Sequence, residues 1–231
     1  MTSIFQGQTQ SRLTCMTCKH TSTTYDTFTE LSVQIPTADT VRGGAAAAGG
    51  GKTLVRKSAA NISSSSSSSA LNSGPFNIYQ CLDAFSKAEI LDGDDKWHCP
   101  KCKTRRRATK RLLVSRLPLV LIVHLKRFLT IGHFREKLEN NILFPTRNLY
   151  MDRYTIPNVL QQQQTGGSTC YNLYGVANHF GTLSGGHYTA SVFNGLRGQW
   201  NYFDDTRVST IPEANVVTPA AYLLFFVQSQ Q

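Results

Sequence analysis

Apolar residues recur along this chain with two different periods, and the change of period marks out its elements. Phe28, Leu31, Val33 and Ile35 alternate in places with polar neighbours, so residues 24–36 predict a strand ended by Pro36. Ile78, Cys81, Leu82 and Phe85 then fall at i, i+3, i+4 and i+7. That spacing predicts one apolar helix face, with Asn77 as N-cap and Gly93 past the end. Residues 112–115 and 119–128 predict strands separated by Pro118. The run Leu119-Val-Leu-Ile-Val-His-Leu125 is apolar on both sides, as a central strand would be. Residues 171–180, 187–193, 200–203 and 222–227 are short, β-branched or aromatic, and bounded by Gly, Asn or Pro. A helix early and strands late predict an α+β fold with a mainly antiparallel sheet.

Two stretches carry neither period. Residues 38–75 include a Gly/Ala run at 43–51 and seven consecutive serines, Ser63 to Ser69. Such a segment buries too little apolar surface to offset its ordering entropy, so a disordered insertion within one domain spanning 1–231 is expected. Residues 160–169 predict a polar, Gln-rich loop.

Charge sharpens the picture locally. The net charge is +10, but residues 96–127 hold eleven of the 24 Lys/Arg and none of the 14 Asp/Glu. The remainder has 13 basic against 14 acidic residues, so the charge is one patch. A patch of this kind binds nucleic acid or an acidic protein surface, or is a solvated strand face beside a metal site. Aromatic residues do not interleave with the charges, which favours the solvated face and argues against nucleic acid as a partner. No run of 18 apolar residues exists to span a membrane. The first residues lack a basic segment followed by an apolar one, so no secretory signal is expected. A cytoplasmic location follows as the expectation, with endosome association or the nucleus as variants.

In a reducing compartment, paired cysteines read as metal ligands before disulfides. Cys15-Met-Thr-Cys18 and Cys99-Pro-Lys-Cys102 are two C-x-x-C knuckles, each followed by basic residues. Two knuckles supply the four thiolates of one structural, tetrahedral zinc site. A redox dithiol or unpaired structural cysteines are the alternatives. Cys81 lies on the apolar helix face and Cys170 precedes a strand, and neither sits at a recognisable nucleophile turn.

The C-terminal third carries Gly185-Gly-His-Tyr-Thr-Ala190 and then Trp200-Asn-Tyr-Phe-Asp-Asp205. A cysteine hydrolase needs an imidazole to take the thiol proton and a third group to hold its tautomer. His187 opening one strand and Asp204 closing the next would meet across adjacent antiparallel strands. Gly185 and Gly186 leave the backbone bare just before the histidine, which suits a narrow extended substrate tail. On spacing alone, a histidine packed or exposed on a strand is the commoner outcome.

Outside the insertion the chain resembles the C-terminal two-thirds of a ubiquitin-specific protease catalytic domain. The matching stretches are Gly7-Gln8 with Cys15-x-x-Cys18, and Glu89-Ile-Leu-Asp-Gly-Asp-Asp-Lys-Trp-His-Cys99-Pro-Lys-Cys102 with Ala108-Thr-Lys110. Leu117-Pro-Leu-Val-Leu-Ile-Val-His-Leu-Lys-Arg-Phe128, Lys137-Leu138 and Phe144-Pro145 follow. The last block is Tyr174-Gly-Val-Ala-Asn-His-Phe-Gly181, Gly186-His187-Tyr188 and Tyr202-Phe-Asp-Asp205, and looks most like the fungal endosomal, Doa4-like branch. The resemblance implies a papain-like cysteine protease with fingers and palm. One structural zinc would sit on Cys15, Cys18, Cys99 and Cys102, and there would be no catalytic cofactor. It implies His187 as base, Asp204 as orienter and Asp205 as a secondary orienter or oxyanion-side contact. Gly185, Gly186 and Tyr188 would touch substrate. The partners would be ubiquitin and ubiquitinated proteins, and the reaction hydrolysis of the isopeptide bond after ubiquitin's Gly-Gly. The family's thumb and Asn/Cys box have no counterpart in residues 1–231, so this stretch is expected to lack the nucleophile. A non-catalytic ubiquitin-binding module is the alternative.

Overall fold

The computed structural model describes residues 2–36, 75–131, 134–157, 159 and 168–229. The predicted insertion, apart from residue 75, and most of the Gln-rich loop lie outside the described residues.

Two sheets organise the described chain. The first has four antiparallel strands, in the order Thr21–Phe28, Gly7–Cys15, Ala108–Arg116 and Glu89–Leu91. The second has eight. From one edge it runs Arg207–Ile211, Gln199–Asp204, Gly185–Asn194, Cys170–Thr182, Ala221–Gln228, Val120–Lys126 and Leu31–Gln34. The short strand Leu149–Tyr150 also pairs with Cys170–Thr182. The α+β class and the mainly antiparallel pairing follow the sequence expectation, with two exceptions. Leu31–Gln34 runs parallel to Val120–Lys126, and Ile142–Leu143 runs parallel to Phe76–Asn77.

The strand predicted over 24–36 is two strands. A bend at Thr29 and Glu30 separates Thr21–Phe28, which joins the smaller sheet, from Leu31–Gln34, which joins the larger. Buried Leu31 and Val33 belong to the second, whereas Thr21–Phe28 is largely exposed. The apolar spacing therefore ran across a change of sheet. Val120–Lys126 lies inside the larger sheet and buries Leu121, Val123 and Leu125.

The helix forms at Ile78–Ser86 because its start is capped from both directions. Asn77 Oδ1 accepts from the Gln80 N–H at 3.0 Å, and the Asn77 N–H donates to Gln80 Oε1 at 2.9 Å. Ile78, Cys81 and Leu82 are fully buried and turn that face into the core. The helix stops before the predicted glycine. Lys87 turns extended at φ −63°, ψ 131°, and the chain continues into Glu89–Leu91. Gly93, at φ +57°, opens a separate one-turn 3₁₀ segment.

The core lies between the helix and the larger sheet, joining Leu82, Val114, Leu121, Val123, Tyr171, Leu224 and Phe226 with their neighbours. Arg127 is buried completely within it. Its Nε donates to Ala221 O at 2.6 Å, and its Nη1 donates to Leu138 O and Asn140 O, both at 2.9 Å. Burial lowers its pKa to about 10, opposed by the Cys81 thiol and Glu139. One member of the basic stretch is thus an internal clamp and not part of a surface. Others are paired, Arg107 with Asp92 at 2.9 Å and Lys110 with Glu89 at 3.4 Å. Thr104–Arg106 is the exposed strand beside the cysteines that the sequence predicts.

Candidate active site and cysteine cluster

Three hairpins bring the candidate base to its partner. Cys170–Thr182 turns through Leu183 and Ser184 into Gly185–Asn194, with Thr182 opposite Gly185 and Phe180 opposite His187. The next turn, residues 195–198, is held by Asn194. Its side-chain oxygen accepts from Leu196 and Arg197 N–H, and its carbonyl accepts from Gly198 N–H at 2.8 Å. Gly198 adopts φ +63°, which a side chain would oppose. That turn sets Ala190 opposite Phe203. One step further, Asp204 lies across from Thr189, on the face that also carries His187, because side chains two apart share a face. Asp204 then pairs with Arg207 around a turn in which Asp205 takes φ +50°.

The result is a contact of 2.5 Å between His187 Nε2 and Asp204 Oδ1. A carboxylate at Nε2 fixes the proton there and leaves the Nδ1 lone pair free to accept another. Both side chains are partly exposed, 47% and 39%, so an incoming group can reach them. One carboxylate oxygen of Asp205 lies within 4.8 Å of the ligand atoms of the other two. The structure thus brings together all three residues singled out for catalysis.

The glycines differ. A side chain at Gly185 would meet open space. A Cβ at Gly186 would come within 2.3 Å of both His179 Nε2 and Phe180 O. The bare backbone at Gly186 therefore has an internal reason, since it makes room for a neighbouring imidazole. Tyr188 is exposed on one side and packs its ring against His179, with centroids 4.7 Å apart. His179 was not singled out by sequence reasoning. It is 4% exposed and lies among Phe128, Tyr188 and Tyr222 at 4.7–5.7 Å. Its one sequence signal was its place in the Asn-His-Phe-Gly run before the glycines.

At the far end of the smaller sheet the two knuckles converge. The sulfurs of Cys15, Cys18, Cys99 and Cys102 all lie within 4.8 Å of one another, with Cys18 and Cys99 at 3.6 Å. Four sulfurs at about 2.3 Å from a tetrahedral ion would be about 3.8 Å apart. The knuckles match one another. Lys19 and Lys103 take φ +60° and +55° and return their N–H groups to Cys15 O at 3.0 Å and Cys99 O at 2.8 Å. The Cys18 N–H lowers the Cys15 thiol to about 6, whereas hydrogen bonding to Cys18 and burial raise Cys102 to about 12. Four adjacent thiols cannot all ionise by themselves, and a shared cation is what would let them. The cluster fits a metal ion.

The profile of ubiquitin carboxyl-terminal hydrolases matches residues 1–226. The chain belongs to this family.

The chain is 37% identical to ubiquitin carboxyl-terminal hydrolase 4 of Saccharomyces cerevisiae (strain YJM789) over 96% of its own length and 22% of that relative. It is 44% identical to ubiquitin carboxyl-terminal hydrolase 15 of Homo sapiens over 66% of its length and 15% of that relative. Its fold matches the structure of the SAGA Ubp8/Sgf11/Sus1/Sgf73 DUB module bound to ubiquitin aldehyde, at a TM-score of 0.70 and 30% identity. That match covers 99% of this chain and 42% of the other. The chain thus spans less than half of these relatives. The family is one of cysteine deubiquitinases, and the fold is its papain-like α+β type.

All six cysteines of the chain are placed, and none adjoins His187. Four form the cluster. Cys81 is completely buried on the helix, and burial raises its thiol to about 12. Cys170 opens its strand, contacts Asn148 Oδ1 at 3.5 Å, and is raised by burial and by Asp152. Neither environment favours a thiolate.

Proposed function

We propose that these residues carry the base and orienter of a cysteine deubiquitinase whose nucleophile is supplied from outside the 231 residues. The observation that carries the reading is the His187–Asp204 contact at Nε2, with Nδ1 left free on an accessible face. A cysteine thiol placed at Nδ1 would pass its proton there, and the thiolate would attack the carbonyl carbon of ubiquitin's terminal glycine. His187 would return the proton to the departing lysine amine, and the carbon–nitrogen bond would break. A water, deprotonated at the same nitrogen, would then cleave the thioester and regenerate the thiol. Asp204 holds the imidazole in one tautomer and stabilises its cation. Asp205 is the secondary carboxylate of the set.

Zinc is the ion we assign to the four-cysteine cluster, in a structural role, because four thiolates leave no open coordination position. Ubiquitin and ubiquitinated proteins are the proposed partners, with exposed Gly185, Gly186 and Tyr188 flanking the base as the substrate contacts. The cytoplasm is the proposed location, in keeping with two reduced knuckles.

The test is intact-mass analysis after mixing with ubiquitin that bears a thiol-reactive C-terminal group. This chain should form no adduct. A longer form that includes the upstream segment should form one adduct and cleave ubiquitin–lysine isopeptides, and His187→Ala should abolish that cleavage. An adduct on Cys81 or Cys170 would overturn the placement of the nucleophile. Normal cleavage by His187→Ala would overturn the base.

The absence of any cysteine at His187 also favours a second reading, a ubiquitin-binding module without catalysis. It requires saturable binding of ubiquitin by a longer form that never turns over.

A further inference from the structure

His179 lies on the strand next to the base, one register step from the position opposite it. It lies directly across from Tyr188, and Gly186 lies across from Gly181, so both residues flanking His187 are gripped by the strand Cys170–Thr182. At Gly186 the grip is tight, since any side chain there would collide with the imidazole on one side and with the Phe180 carbonyl on the other. Gly181 contributes to the same closeness. It takes φ +103°, and a Cβ there would come within 2.6 Å of Gly185 O. Tyr188 is held by its ring contact with His179, and both rings lean on Tyr222, while Phe128 closes the imidazole edge-on.

We propose that His179 is a positioning residue for the base, its imidazole wedged under Gly186 so that His187 meets Asp204. The inference rests on the deubiquitinase reading for its purpose, and on geometry alone for its mechanics.

Three further observations support it. The imidazole is almost wholly buried, and its Nδ1 has no hydrogen-bond partner among the described residues. A buried ring whose Nδ1 is unpaired gains nothing from that nitrogen, so its contribution there is its shape. Its main chain is fastened on both sides. Lys137 Nζ donates to its carbonyl at 2.7 Å, and its N–H donates to Ala220 O at 2.8 Å. The groups facing the ring are Tyr188, Tyr222 and Phe128, with Lys137 the nearby charge. No carboxylate is among them, so the neutral ring is the form that fits. A displacement of about 1 Å at a catalytic group costs up to about a hundredfold in rate, so a wedge that sets the backbone beside His187 has leverage.

The test uses this chain with its histidines isotopically labelled, and reads the His187 Nε2–H resonance and the His187 titration by NMR. Neither readout needs ubiquitin or a nucleophile. Failure of the deubiquitinase reading would leave the result standing, and failure here would leave that reading untouched. Gly186→Ala is expected to weaken or abolish the Asp204-bound proton resonance, and His179→Ala to broaden it. The double variant should recover it only in part, because removing the imidazole frees one side of the new methyl group while Phe180 O still crowds the other. Amide spectra of Gly7–Cys15 and Ala108–Arg116, remote from the change, would show that each variant is folded. If His179→Ala unfolds, Gly186→Ala, which keeps every core side chain, carries the comparison. In the longer active form the same variants should lower kcat by about tenfold to a hundredfold with KM unchanged. Folded Gly186→Ala and His179→Ala proteins with an unaltered His187 resonance and titration would overturn the proposal.

Discussion

An imidazole buried with one partnerless nitrogen tolerates only one protonation state, and His179 is such a group. Burial, and then the charge of Lys137, lower its pKa below the ordinary 6.5. With the folded value below the unfolded one, the unfolded chain takes up the proton first as pH falls. The stability from the neutral ring is therefore complete above about 6.5 and lost below it, towards the folded pKa. Melting temperature should fall between pH 7 and pH 5, and His179→Gln should flatten that part of the profile. An unchanged slope in the variant would assign the acid sensitivity elsewhere. Asp204 poses the opposite case, since its carboxylate must accept the Nε2 proton. An amide in its place can donate instead and select the wrong tautomer. Asp204→Asn in a catalytically complete form should lower kcat by about 10³–10⁴-fold, with the fold unchanged.

Among the elements, the helix Ile78–Ser86 is short, and its nine residues depend on the reciprocal cap at Asn77 and on four buried positions. Asn77→Ala removes the acceptor of the Gln80 N–H and should cost about 1 kcal/mol, read as a lower denaturant midpoint at constant slope. This element was legible in sequence because its cap and its 3.6-residue spacing are local signals. Four of the five C-terminal strands were legible for the same reason, being short aromatic runs between turn residues, and their hairpins placed His187 beside Asp204; the exposed edge strand Arg207–Ile211 has no such run and was missed. Other features required tertiary information. The bend at Thr29 and Glu30 changes sheet without disturbing the apolar spacing, and the parallel pairing of Leu31–Gln34 joins segments about ninety residues apart in sequence. Arg127 looked like one more surface cation because nothing local shows that three carbonyls await it. His179 went unnoticed because its importance lies in a glycine on the next strand.

Across the whole described molecule, apolar burial is uneven, and that unevenness defines what the cysteine cluster does. The core joins the helix to the larger sheet and reaches the smaller sheet only at its base, through Val114 with partly buried Leu113 and Phe28. Towards the knuckles the buried apolar residues are Cys15, Cys99 and Ala108, none of them part of that core. Thr21–Phe28 and Thr104–Arg106 are nearly all exposed there. A strand end with so little to bury cannot offset its ordering entropy by hydrophobic contact alone, and a bound ion is the usual substitute. Structural zinc on thiolates contributes on the order of 10 kcal/mol in small peptides, ample for this deficit. Chelation should therefore open the knuckle end and spare the core. Hydrogen exchange is expected to rise at Cys15–Thr21 and Trp97–Arg107, while Val120–Lys126 and Ala221–Gln228 stay protected. Readdition of zinc should restore the pattern, and Cys99→Ser should mimic its loss. Uniform exchange after chelation would mean that the ion supports the whole fold. No change at all would mean that the four thiols hold their end of the sheet without a metal.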